Sequence, residues 1–261
     1  MVSIEKTVNT AFKPLVTPKK FNFDFGELSK VAARLNTLDA DKFEKTSGDA
    51  IFSQATFKKA KDMVVETILG NEPKESLVFV KDDKIMHHVI GETHKIEVDD
   101  VSRALLDDAN NKIAVIHSHP IVMIDGSAHP VSYSDFSVIN DRPGARSIYA
   151  INSLGEYSML QKQGNARPSV LKVIEYEEKY EQELVEALTG EDKEFMKKCL
   201  FGPQEGVELT QEEKEQLEKE FEEFRNKESV VQATRKCLHN FWLKYASELG
   251  LRYETNYSCF N

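Results

Sequence analysis

Residues 112–120 read KIAVIHSHP, and residues 132–135 read SYSD. The apolar run after Lys112 is short and unbroken, the pattern of a strand covered on both faces. Pro120 brings no backbone donor, so it ends the strand and turns the chain away. His117 and His119 are two residues apart at the strand's end. Side chains alternate along a strand, so both imidazoles point the same way. Two imidazoles on one face can share a zinc ion at roughly 2.0 to 2.1 Å each. Ser132 then opens a short helix, expected to run to about Asn140, with Asp135 in its first turn, where the helix dipole favours a carboxylate. From there Asp135 is able to reach back to the ion as a third ligand. Two neutral imidazoles and one carboxylate leave a cation with net positive charge and one open position, the arrangement of a catalytic zinc rather than a closed structural one. Each piece alone has a plainer role: HSH as a surface turn, S-x-x-D as a helix cap. The order of the pieces behind a buried strand is what makes them specific.

Working outward, residues 76–80 (SLVFV) and 85–90 (IMHHVI) flank KDDK and predict a β-hairpin. A helix is expected over 54–69, with Phe57, Ala60, Met63, Val64 and Ile68 inward and Gly70 as its C-cap. Residues 99–106 predict another helix, ended by Asn110 and Asn111. RSIYAIN (146–152) and EYSML (156–160) predict a second hairpin around Leu154 and Gly155. Residues 55–165 thus mix strands and helices within one unit of ordinary domain size. The fold class is α/β (α+β): a mixed β-sheet with flanking helices.

The two ends read differently. Residues 13–23 carry two prolines and three lysines and predict a loop, and 25–38 a helix with Leu28, Val31, Ala32 and Leu35 on one face. The arm and this helix make an N-terminal segment, 1–54. From Ser169 onward the pattern is helical, giving a C-terminal extension over 166–261. Leu171, Ile174, Leu184, Val185 and Leu188 lie among glutamates. Gly202 and Pro203 break the run, Thr210 to Glu213 is a capping box, and Leu217, Phe221 and Phe224 follow at i, i+4, i+7. Residues 230–249 continue as helix around the single tryptophan, Trp242. The glutamates predict a solvated face. The apolar stripe is suited to packing on the core, to self-association, or to a partner.

The 261 residues carry 34 basic and 44 acidic side chains, a net charge of −10. That argues against nucleic acid, which needs a basic face. No run of eighteen apolar residues offers a membrane span, and residues 1–20 hold no continuous apolar segment of a secretory signal. Cys199, Cys237 and Cys259 form no CxxC pair, which suits free thiols in a reducing compartment. A cytoplasmic protein is expected.

The set His117-Ser118-His119-Pro120 followed by Ser132-Tyr133-Ser134-Asp135 resembles the JAMM (JAB/MPN+) motif, Glu … His-x-His-Pro … Ser-x-x-Asp. The order of elements over 55–165 is also similar to that family's core. The interval between the two motifs is longer than in the family's eukaryotic deubiquitinating members. The added residues, 121–131, contain Asp125, a competing oxygen ligand, and His129, read as a loop residue. They suit either a substrate-contacting lid or a packing element. The resemblance implies a zinc-dependent peptidase with His117, His119 and Asp135 on Zn2+. It also implies a catalytic glutamate at the first core strand. Glu75 fits, immediately before SLVFV, whereas Glu66, Glu72, Glu92 and Glu97 fall in the helix or the loops. In that family scheme the zinc lowers the pKa of its bound water towards roughly 7, Glu75 is general base and then general acid, and Ser132 steadies the oxyanion. The implied substrate is a protein: an isopeptide or peptide bond after the tail of a ubiquitin-like protein, which can add as a strand beside the sheet. Two other readings are a non-catalytic MPN-like scaffold that binds partners through its helices, and a zinc hydrolase of another substrate class. The complete ligand set argues against the scaffold. His87, His88, His94 and His239 are expected to be ordinary structural histidines.

Overall fold

Strands buried on both faces form the centre of the protein. The computed structural model describes residues 52–70, 74–92, 96–119, 129–164, 168–201, 210–225, 227–257 and 260. The loop expected at 13–23 and the helix expected at 25–38 lie outside the described residues, as do Glu72, His94, Asp125 and Cys259.

Helix α1 (Gln54–Ile68) starts at Ser53, whose side chain accepts the Thr56 N–H. It ends at Leu69, in the right-handed region at φ −85° with its N–H on the Val65 carbonyl. That residue caps the helix in place of Gly70, because the last turn closes with an ordinary i−4 bond and needs no left-handed residue. Strands β1 (Ser76–Lys81) and β2 (Lys84–Ile90) form the expected hairpin. Its two turn residues, Asp82 and Asp83, have φ of 48° and 61°, the left-handed pair of a type I′ turn whose twist matches that of the strands. The Asp83 carboxylate also accepts the Ser53 N–H at 2.6 Å, tying the hairpin to the start of α1.

Helix α2 (Asp100–Asp107), strand β3 (Ile113–Ser118), helix α3 (Tyr133–Asp141) and strands β4 (Ala145–Ile151) and β5 (Tyr157–Lys162) follow. Then come α4 (Val170–Ala187), α5 (Gly190–Phe201), α6 (Gln211–Arg225), α7 (Glu228–Tyr245), a 3-10 turn (Ser247–Leu249) and β6 (Leu251–Thr255). The sheet is mixed, in the order β2-β1-β3-β4-β5-β6. Only β3 and β4 are parallel; the other neighbours are antiparallel.

The expectation of helix throughout the C-terminal segment needs correction at β6. Gly250, at φ 70°, turns the chain out of the 3-10 turn, and LRYET then pairs with β5 from Leu251↔Lys162 to Thr255↔Ser158. Five half-polar residues carry little strand signal of their own. The waiting edge of β5 supplies the ladder.

Alternation along the strands sorts the core into two layers. Val78, Val80, Ala114, Ile116, Tyr149 and Ile151 face α1 through Phe57, Ala60, Val64 and Ile68. Leu77, Phe79, Val115, Ile148 and Leu160 face the other way, against α2, α3 and the C-terminal helices. The C-terminal stripe therefore packs on the core, but through Tyr176, Tyr180, Leu184 and Val185 of α4 and Phe241 and Trp242 of α7. Leu171 and Ile174, expected in that stripe, are exposed. Trp242 stacks on Tyr133, the first residue of α3, with ring centroids 5.9 Å apart. The last long helix thus braces the helix that carries Asp135.

Candidate metal centre

His117 pairs with Leu77 across β1 and β3 and lies on the same side of the sheet as Val115, the side that α3 covers. His119 follows two residues on, its N–H held by the Ile151 carbonyl at 2.9 Å. The two rings meet edge to face with Nε2 atoms 2.9 Å apart. Asp135 closes the triangle: Oδ1 is 3.1 Å from His117 Nε2, and Oδ2 is 3.3 Å from His119 Nε2. One ligand atom from each of the three lies within 4.8 Å of the others, and theirs is the one such group among the described residues. Two ligands bound at roughly 2.0 Å to one tetrahedral ion sit about 3.3 Å apart, so these spacings are those of a metal-sized site. The His119 and Asp135 side chains keep 18% and 15% of their exposure, so both are half-buried.

The hydrogen bonds decide which nitrogens are available. His119 Nδ1 is 2.8 Å from the carbonyl of His129. A carbonyl only accepts, so Nδ1 carries the proton, and the Nε2 of a neutral ring presents its lone pair to the triangle. Lone pairs and a carboxylate converging at these distances require a cation or a proton between them. The electrostatics agree. Burial works against charge on His119, but Asp135 and the His129 carbonyl outweigh it and raise its pKa. Burial also opposes ionisation of Asp135, yet the two imidazoles hold its carboxyl well below the usual range. The donor set fits a divalent metal ion.

Ser132 is the N-cap of α3 and forms a full capping box with Asp135. Its N–H donates to Asp135 Oδ2 at 2.7 Å, its hydroxyl donates to the same oxygen at 2.8 Å, and its Oγ accepts the Asp135 N–H at 3.1 Å. The hydroxyl proton expected to meet an oxyanion is here spent on orienting the carboxylate. Capping and ligand roles coincide in one motif, because the box that starts the helix also aims Asp135 at the histidines.

Glu75 stands just ahead of β1, in line with Leu77 and hence on the face of His117. Its backbone continues the β1–β2 ladder, bonding Glu92 and Gly91 at 3.0 and 2.8 Å. Burial raises its carboxyl pKa to about 7; His119 pulls it down and Asp135 pushes it further up. Both groups thus act on it through space. Ser118, between the two histidines, steadies this glutamate's flanks: its Oγ accepts the Ser76 N–H at 2.8 Å and donates to the Lys74 carbonyl at 3.4 Å. Ser118 was legible only as the x of H-x-H. Its role depends on the antiparallel register of β1 on β3.

His129 contributes its carbonyl rather than its ring, as a loop residue would. His87 bonds Asp99 at 2.7 Å, and His239 stacks on Phe260. Sequence reading missed Ser158, Trp242 and Tyr257, which hold residues 129–131 beside the site. Ser158 Oγ accepts the Val131 N–H at 2.6 Å, Trp242 Nε1 donates to the Val131 carbonyl at 2.7 Å, and the Tyr257 hydroxyl donates to the His129 carbonyl at 3.0 Å. The lone tryptophan was the only available signal.

Comparison with protein-family models, curated proteins and solved structures returned no match to the chain. Among the described residues no helix is long and apolar enough to cross a membrane.

Proposed function

We propose that the chain is a JAMM (MPN+)-like zinc metallopeptidase that hydrolyses an isopeptide or peptide bond after the tail of a ubiquitin-like protein. The observation that carries this reading is the convergence of His117 Nε2, His119 Nε2 and the Asp135 carboxylate on one metal-sized triangle, with the half-buried Glu75 in electrostatic range. The residues that would hold the ion are His117, His119 and Asp135. When bound, Zn2+ would supply Lewis acidity towards water and a substrate carbonyl.

The remaining chemistry belongs to the chain. An amide with an amine leaving group needs a proton shuttle. Burial raises the Glu75 carboxyl pKa to about 7, which suits it to take a proton from the attacking water and return it to the leaving nitrogen. Water adds to the carbonyl, the C–N bond breaks, and acid and amine leave with the glutamate regenerated. Ser132 serves first by holding Asp135; to steady a developing oxyanion its one hydroxyl proton would have to leave the carboxylate, which the Ser132 N–H still holds. Substrate would reach the site along the hairpin. β2 is the outer strand of the sheet on the Glu75 side, and Met86 and Ile90 are exposed there. An extended tail could pair with that edge and meet pockets for alternate side chains.

The test starts with metal. Purified protein should carry about one zinc, and His117→Ala should lose it; zinc-free wild type, or unchanged content in the variant, overturns the proposal. Incubation with a panel of ubiquitin-like conjugates, with and without chelator, then tests the substrate class. Chelator-sensitive cleavage is expected, and no cleavage of any conjugate or of an unfolded protein by zinc-loaded protein would count against a peptidase.

A further inference from the structure

The C-terminal strand and the residues after it are built into the metal centre. His119 Nδ1 and the Tyr257 hydroxyl donate to the same acceptor, the His129 carbonyl, at 2.8 and 3.0 Å. A carbonyl oxygen has two lone pairs, so this one is saturated by those two donors. Two residues on, Val131 is held at both ends of its peptide unit, by Ser158 Oγ on its N–H and Trp242 Nε1 on its carbonyl. Ser132 and Asp135 come next in the chain. The segment 129–131 therefore links ligand His119 to ligand Asp135, and it is fixed by residues of α7, β5 and the C-terminus. Tyr257 and Trp242 are fully buried. The Tyr257 N–H is held by Thr255 Oγ1 at 3.2 Å, and the Asn256 N–H by the Tyr157 carbonyl at 3.0 Å, so docking of β6 on β5 places the hydroxyl.

We infer that Tyr257 is a positioning residue of the metal centre: by fixing the His129 carbonyl it holds His119 in the tautomer and orientation that offer Nε2 to a divalent cation. The inference rests on the metal reading above and adds to it a coupling between cation binding and docking of the chain's last strand. Groups behind a ligating histidine typically change metal affinity by about 10- to 100-fold when removed. Tyr257 acts one bond further out, so the low end of that range applies. Coupling is reciprocal, so a bound cation must in turn hold the 251–257 segment more firmly.

The experiment measures zinc affinity by competition with a chromophoric chelator for wild type, Tyr257→Phe and Tyr176→Phe, alongside the Tm of each metal-free protein. Tyr176 also loses a hydroxyl hydrogen bond, to Glu248, but outside the 129–131 segment. The expected result is roughly tenfold weaker zinc binding for Tyr257→Phe and wild-type affinity for Tyr176→Phe, whatever their Tm values. Equal affinity for Tyr257→Phe and wild type overturns the inference and leaves the metal reading standing. Wild type that takes up no zinc overturns the metal reading and the inference with it. A second measurement needs no variant: hydrogen exchange of wild-type peptides covering 251–257 should slow on zinc addition, and unchanged exchange in zinc-loaded protein overturns the coupling even if Tyr257→Phe fails to fold.

Discussion

Replacing Ser132 with alanine removes two hydrogen bonds that meet on one residue. The first is the cap, Asp135 N–H to Ser132 Oγ at 3.1 Å; losing such a cap costs about 1 kcal/mol. The second is the hydroxyl's bond to Asp135 Oδ2 at 2.8 Å. A hydrogen bond to a charged acceptor contributes about 1.5–3 kcal/mol. The backbone N–H bond to Oδ2 at 2.7 Å survives, so the carboxylate keeps one donor and the loss falls in the middle of the combined range, about 3 kcal/mol. With a urea m-value of about 3 kcal/mol/M, that lowers the midpoint of metal-free protein by about 1 M with an unchanged slope. Ser132→Thr keeps an oxygen in place and should recover most of the loss. Zinc affinity should fall in Ser132→Ala as well, because the brace that aims Asp135 is weakened. A Ser132→Ala protein within about 0.5 kcal/mol of wild type, the noise of surface substitutions, would refute the double role of this hydroxyl.

Glu75→Gln should lower kcat/KM on whichever conjugate the wild type cleaves by about 10² to 10⁴; an undiminished rate removes Glu75 as the base. The same carboxyl, raised to about 7 by burial, makes a signed prediction for stability. A raised carboxyl pKa means that the folded state holds the proton more tightly, so the stability it contributes is complete below the ordinary carboxylate range and is lost as pH rises towards 7. In chelator, the Tm advantage of Glu75→Gln over wild type should therefore grow between pH 4.5 and 7.5, and a pH-independent difference would contradict it. Gly144→Ala should destabilise by roughly 3 kcal/mol. A Cβ there would stand 2.6, 2.7 and 2.9 Å from the backbone oxygens of Asp108, Leu105 and Leu106, none of which can swing aside as a side chain would; a wild-type denaturation midpoint would disprove that packing.

The hairpin at 76–90, strand β3, the cap of α3 and the second hairpin were all legible because each rests on local chemistry: unbroken apolar runs, a turn of aspartates, and a serine three residues before an acid. The ligand triangle was legible for a similar reason. His117 and His119 share a face through strand periodicity alone, and Ser132 aims Asp135 through a helix cap spanning four residues. β6 was not legible, because an edge strand of five half-polar residues takes its hydrogen bonds from a partner about ninety residues away. Leu171 and Ile174 fit an apolar stripe on paper yet stay exposed, because the tyrosines of α4 fill the contact with α7.

By itself the sequence determined which side chains converge on the candidate metal site, since nearest-neighbour geometry on one strand and one helix turn leaves them little choice. What the tertiary structure alone decided is what holds them still. The tautomer of His119 depends on the His129 carbonyl, and that carbonyl depends on Tyr257, brought from the far end of the chain when β6 completes the sheet. Hydrogen bonds between segments so distant in sequence form only when folding has already offset the entropy of closing the long loop between them, and no local pattern records them.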